Sequence, residues 1–133
     1  MDACWVDEEQ GVFYAIELKD YTETGSLGDD NVAKRKWNIA KKVVDTMQMF
    51  LSAKYQNTFG KELESEKRID LHSTCRETRF ITIINVPESS KDYMGAFKDS
   101  CLSILKGYAK VWDNTRIIVM SYEQAKRKLP FVK

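Results

Sequence analysis

Residues 12–20, VFYAIELKD, constrain the fold more than any other stretch of this chain. Side chains alternate faces along an extended strand, so Val12, Tyr14, Ile16 and Leu18 project from one side. Glu17 and Lys19 project from the other. So apolar a strand belongs in a sheet that something covers. A carboxylate and an ammonium two residues apart on one face are costly to bury there unless something neutralises or uses them.

The rest of the chain supplies the elements of one α/β domain. At 133 residues there is enough chain for a single core. Hydrophobic residues at 43% and charged residues at 31% give the balance of a soluble globular protein. Residues 2–6 and 12–19 read as strands joined by the turn-like DEEQG, forming an antiparallel hairpin. The loop YTETGSLGDDN ends in Asp29, Asp30 and Asn31, all good helix caps. A long helix is expected from about residue 31 to about 56. Its buried stripe is Trp37, Ala40, Val44, Met47 and Leu51, with Lys34, Asn38, Lys41, Lys42 and Asp45 on the polar side.

From Thr58 to Thr78 the chain is polar and irregular, an excursion with room for a short helical piece. RFITIINV (79–86) is a strand stopped by Pro87. A second long helix follows over 90–112, with Tyr93, Phe97, Cys101, Ile104 or Leu105, Tyr108 and Trp112 as its stripe. TRIIVMS (115–121) is another strand, and YEQAKRKL a short terminal helix. The order β-β-α-β-α-β-α predicts a mixed central sheet flanked by the long helices, closing with a right-handed parallel crossover.

Charge and cysteine usage narrow the setting. The net charge is only +1, but VAKRKWNIAKK carries Lys34, Arg35, Lys36, Lys41 and Lys42 without an acid, and Lys126, Arg127 and Lys128 form a second cluster. A local patch of this kind can steer a polyanion, and equally can be a solvated helix face. No apolar run is long enough to cross a bilayer, and MDACWVDEEQ is not a secretory signal. Three cysteines without paired spacing argue against a disulfide framework or a zinc site, so an intracellular, cytoplasmic setting is expected.

Asp2 starts the strand that the hairpin folds back against Glu17. A hard cation such as Mg²⁺ takes one or two carboxylates, keeps several waters and accepts a phosphate oxygen. Asp2, Glu17 and the backbone carbonyl of Leu18 could supply such a site. Lys19 would lie alongside, placed to stabilise hydroxide or charge developing on phosphorus.

An Asp on one strand, a turn, a strand ending in Glu-X-Lys and then a helix resembles the PD-(D/E)XK nuclease superfamily. The run IELKD, a polar loop and DDNVAKRKWNIAKKVV is similar to the nuclease domain at the carboxyl end of type III restriction enzyme subunits. The similarity covers about residues 2–50, and beyond Tyr55 rests on the order of elements. It implies a restriction-endonuclease-like fold in which Asp2 and Glu17 bind Mg²⁺ or Mn²⁺ and Lys19 is the catalytic lysine. It further implies that Lys34 or Lys36 contacts the scissile phosphate. Met1 stands where the family has proline, and the family's preceding helix has no counterpart here. An excised domain, a shortened member or a rearranged one would each fit; an excised domain would have a helicase-like motor elsewhere in its parent protein.

Other chemistry-bearing residues are weaker. His72 lacks a recognisable catalytic partner, and a nucleophilic pair with Cys75 would need an orienting group and a pocket. Cys101 falls on an apolar stripe, and Trp5, Trp37 and Trp112 read as core. GSLGDDN has neither the Walker lysine nor the dinucleotide spacing. The function expected is metal-dependent hydrolysis of nucleic acid, DNA rather than RNA, with Lys34, Arg35, Lys36, Lys41 and Lys42 gripping the backbone. The alternative is a catalytically inactive nuclease-fold module for nucleic-acid binding, or for protein–protein interaction through a Glu17–Lys19 ion pair. Oligomeric state stays open.

Overall fold

A computed structural model describes residues 1–22, 32–67, 75–112 and 115–132. The expected caps Asp29, Asp30 and Asn31, and His72, lie outside the described residues. Strands β1 (Ala3–Asp7), β2 (Val12–Asp20), β3 (Glu77–Asn85) and β4 (Thr115–Ser121) form a sheet in the order β1-β2-β3-β4. β1 and β2 are antiparallel, whereas β2–β3 and β3–β4 are parallel. The chain is thus α/β with a four-stranded mixed sheet flanked by helices. Among the described residues no helix is long and apolar enough to cross a membrane.

Turn chemistry sets the hairpin. Asp7 Oδ1 accepts the amide hydrogen of Gln10 at 3.0 Å. Gly11 has φ of 67°, a conformation glycine adopts without steric cost. The Gly11 carbonyl then accepts the amides of Arg76 at 2.7 Å and Glu77 at 3.2 Å, which docks the start of β3 against the turn.

Each face of the sheet has its own cover. Parallel register places Ala15 beside Phe80 and Phe80 beside Ile117. Phe13, Ala15 and Phe80 pack under helix α1 (Val32–Lys54), through Ala40, Val43, Met47 and Phe50, and under Leu105 of helix α3 (Met94–Val111). Farther along this face, Ile84 and Val119 meet Ile39, Phe97 and Cys101. The opposite face, with Ile16, Ile81, Ile83 and Met120, is covered by helix α4 (Tyr122–Lys128) and by Leu129 and Val132. The two long helices therefore share one side, as two crossovers of equal hand require when they advance in one direction.

Three expectations change. The polar excursion contains a real helix, α2 (Thr58–Lys67), so the element order gains one member. Asn57 starts it, its side-chain oxygen accepting the Gly60 amide hydrogen at 2.8 Å. The α1 stripe is rotated from the expected one. Ile39, Ala40, Val43, Met47, Phe50 and Ala53 are buried, whereas Trp37 is 63% exposed. Apolar residues are dense enough in α1 that two overlapping stripes satisfy a spacing of three and four, and the sheet selects the one rich in β-branched and small residues. Tyr93 and Tyr108 are likewise exposed, and Met94, Phe97, Cys101 and Leu105 form the α3 stripe. A 3₁₀ segment (Glu88–Tyr93) precedes α3 and changes its angular phase, leaving Tyr93 at the junction.

Candidate functional site

Strand alternation delivers Glu17 to the covered face. It follows Phe13 and Ala15 under the helices, pairs in register with Thr82 of β3, and is 2% exposed. Lys19, two residues on, lies beside Ile84 and extends towards solvent. Its Nζ is 2.6 Å from Glu17 Oε1. Glu17 Oε2 is buried and has no hydrogen-bond partner, although the amino group of Met1 stands 3.5 Å away.

The hairpin brings Asp2 to the same end of β2. Its amide donates to the Ile16 carbonyl at 2.8 Å, and its Oδ2 accepts the Leu18 amide hydrogen at 2.7 Å. Continuing the Ala3–Ile16 pairing by one residue sets Asp2 opposite Glu17. The amide and carbonyl of a strand residue point towards the same neighbour. The Leu18 carbonyl therefore faces the β1 side, where Asp2 lies. Leu18 itself is exposed, past the cover of the second face.

One residue the sequence reading missed belongs here. Tyr21 continues the alternation Glu17, Lys19, Tyr21, and that period was the available signal. The guanidinium carbon of Arg35 lies 4.5 Å from the centre of its ring. Burial raises the Tyr21 hydroxyl above its usual range; Arg35 opposes the shift, and Cys101 and Glu17 add to it. Arg35 is accordingly buried within the α1 start, not displayed as an exposed grip. Lys36 is half-buried, Lys34 and Lys42 are exposed, and Lys41 pairs with Asp45 at 2.5 Å. Trp37, three residues after Lys34 and four before Lys41, shares their exposed side of α1.

A cleft of about 400 Å³ opens beside Asp2, between the β1 edge and helices α1 and α2. Cys4, Phe13, Thr46, Phe50 and Glu64 contribute to its walls. Cys4 is exposed, Cys75 and Cys101 are buried, and none of the three forms a disulfide. The backbone carbonyl of Cys75 accepts from Lys54 Nζ at 2.7 Å. Burial pushes the Cys101 thiol up to about 11, which makes it unreactive at neutral pH. Trp5 stacks on Tyr14 at 4.8 Å, and Trp112 contacts Tyr108 at 5.5 Å between ring centres.

This donor set could hold a hard cation. It comprises a buried carboxylate oxygen without a hydrogen bond, a second carboxylate fixed by a backbone amide, and a carbonyl aimed to the same side. Among the described residues no group of three or more histidine, cysteine, aspartate or glutamate side chains is arranged to hold a metal. Two carboxylates and a carbonyl are what the described residues bring together here. No family model matches this chain, and no curated protein or solved structure matches it either.

Proposed function

We propose that this protein is a metal-dependent nuclease that hydrolyses phosphodiester bonds, in DNA rather than RNA, on a restriction-endonuclease-like fold of the PD-(D/E)XK type. The observation that carries the reading is the buried Glu17 carboxylate, whose Oε1 meets Lys19 and whose Oε2 has no hydrogen bond and faces the Met1 amino group at 3.5 Å, across the hairpin from Asp2. A buried carboxylate kept without full pairing is unfavourable for folding, and such groups cluster where chemistry needs them.

In this mechanism Asp2, Glu17 and the Leu18 carbonyl would hold Mg²⁺ or Mn²⁺, which would supply polarisation of a phosphate oxygen and a more acidic water. Lys19, whose ammonium sits at the wet end of its pair with Glu17, orients the attacking water and stabilises charge developing on phosphorus. Lys34 and Lys36 neutralise the backbone on either side, and Trp37 offers a stacking surface between Lys34 and Lys41. Arg35 steadies the β2–α1 junction through Tyr21.

Plasmid and linear DNA incubated with Mg²⁺ or Mn²⁺ test the proposal. Glu17→Ala and Lys19→Ala should each lower cleavage by at least about 100-fold. Equal cleavage by all three proteins would remove these residues from the mechanism. A second reading is favoured by the 2.6 Å Glu17–Lys19 contact, which partly neutralises the carboxylate. On it, the domain binds nucleic acid without cutting: affinity falls steeply with salt, and added metal changes nothing.

A further inference from the structure

Strands β3 and β4 are parallel neighbours, yet their chains leave towards opposite faces. β3 continues through the 3₁₀ segment into α3, on the side of Phe80 and Ile84. β4 turns at once into α4, which packs on Ile81, Ile83 and Met120. Diverging connections open a crevice outside the carboxyl ends of adjacent strands, the place where open α/β sheets bind ligands. The crevice here has a volume of about 470 Å³, within the usual range of small-ligand sites.

Its charges do not cancel. Lys91, Lys98 and Arg127 line it together with Glu88 and Glu123. Glu88 is held by Lys91 at 2.6 Å, and Glu123 also acts on Lys91, raising the affinity of that ammonium for its proton. Glu88 is thus committed to one lysine, and three cations face two carboxylates. Arg127 donates its Nε to the Glu123 carbonyl at 3.3 Å, and among the described residues its outer nitrogens meet no acceptor. Among the described residues Lys98 has no acceptor. Two cations therefore face an open space.

Gly95 gives a way to probe the crevice. It lies exposed near the start of α3 on the crevice wall, and a side chain there would meet no protein atom within 4 Å, as at Gly107 farther along the helix. A bulky residue at 95 would therefore intrude on the crevice without disturbing the packing. Register places the crevice close to the candidate site. Lys19 pairs with Ile84 and Asp20 with Asn85, and both partners line it, one strand spacing or roughly 5 Å away.

We propose that this crevice holds a backbone phosphate of the nucleic-acid strand that enters the Glu17–Lys19 site. Lys98 and Arg127 are its counter-charges, and Gly95 leaves it room. The choice of ligand rests on the nuclease reading. A free nucleotide presents the same phosphate chemistry, so the test separates the two.

Binding is measured on the full chain in EDTA, by anisotropy of a labelled single-stranded oligodeoxynucleotide and by calorimetry with a mononucleotide. The Lys98→Ala, Arg127→Ala double variant should weaken oligonucleotide binding by about 10-fold or more and lower the salt slope by about 1 per lost phosphate contact. Gly95→Leu should weaken it comparably while its melting temperature stays level or rises. Gly107→Leu, at another helix position with open space around a Cβ, should gain the same stability and bind normally. Oligonucleotide affinity and salt slope unchanged in the double variant and in Gly95→Leu would overturn the proposal, as would an effect confined to the mononucleotide. Binding through the crevice without any cleavage in Mg²⁺ or Mn²⁺ would remove the nuclease reading and leave this one standing. Cleavage that is indifferent to all crevice variants would do the reverse.

Discussion

Lys19 Nζ and Glu17 Oε1 meet at 2.6 Å although only one residue separates them on β2, and the pair is lopsided: the lysine side chain is 26% exposed and the glutamate 3%. The ammonium forms the rim and the carboxylate the floor. Each partner should therefore answer differently to removal.

Glu17→Met removes a carboxylate that faces two cations. Lys19 can then turn to solvent, but the Met1 amino group, 3.5 Å from Oε2, loses its counter-charge. Removing one partner of a buried pair is destabilising, so the melting temperature should fall while phosphodiester hydrolysis disappears. Lys19→Met leaves the carboxylate with the Met1 amino group, and should cost less, roughly 1 kcal/mol. Thermal melts of the two variants, run together, check the order; a larger loss for Lys19→Met would show that the lysine alone holds the carboxylate.

Cys101 makes folding sensitive to alkali. Burial raises its thiol from 9.0 to about 11. As pH rises the unfolded chain ionises first, so the contribution is complete below pH 9 and is lost between pH 9 and about 11. The full effect is at most about 2–3 kcal/mol. Tyr21, raised by burial, adds a loss of the same sign above pH 10. Urea titrations between pH 8 and 11 should show the decline, and Cys101→Ala should flatten it. At pH 8 an alkylating reagent should modify Cys4 in the native protein and reach Cys75 and Cys101 only after unfolding.

Gly60 permits α2 to lie against α1. A Cβ there would fall 1.9 Å from the Ser52 carbonyl oxygen, which is backbone and cannot swing aside. Gly60→Ala should cost about 1–3 kcal/mol, as overpacking does. The shift of α2 should also alter the cleft beside Asp2, which Leu63 and Glu64 help to wall. Denaturant midpoints and the reactivity of Cys4 report the two effects separately.

Trp37 stands exposed among lysines of α1, where iodide should quench it readily. Trp5, stacked on Tyr14 and edge-on to Phe131, should resist. If a strand crosses α1, a bound oligonucleotide should protect Trp37 from iodide. Trp37→Ala should then weaken binding by about 1–3 kcal/mol, a loss read from titrations at fixed salt.

Much of the architecture was legible because β2, β3 and β4 announce themselves locally. Period-two alternation and isoleucine-rich runs ended by polar residues or Pro87 need no tertiary knowledge. The same alternation put Glu17 and Lys19 on one side, and the short turn brought Asp2 opposite. The phase of α1 was not legible, because Trp37 and Ile39 are both apolar and only the sheet below decides which is covered. Of α2 only the room for a short helical piece was legible, because its charged surface hides the Asn57 cap and the tight seat of Gly60. The switch-point crevice lay beyond reach of the sequence. It depends on where α3 and α4 go after their strands, and Lys98 and Arg127 are far apart in the chain.

Phe131 stands edge-on to Trp5 at 4.9 Å, and Leu129 and Val132 join the same apolar cluster. The last described residues thereby seal the side of the sheet that the first strand helps to build. During synthesis, at roughly 5–20 residues per second, Trp5 must wait several seconds for that seal. A nascent chain paused before Leu129 would leave the aromatic ledge of Trp5 and Tyr14 uncovered.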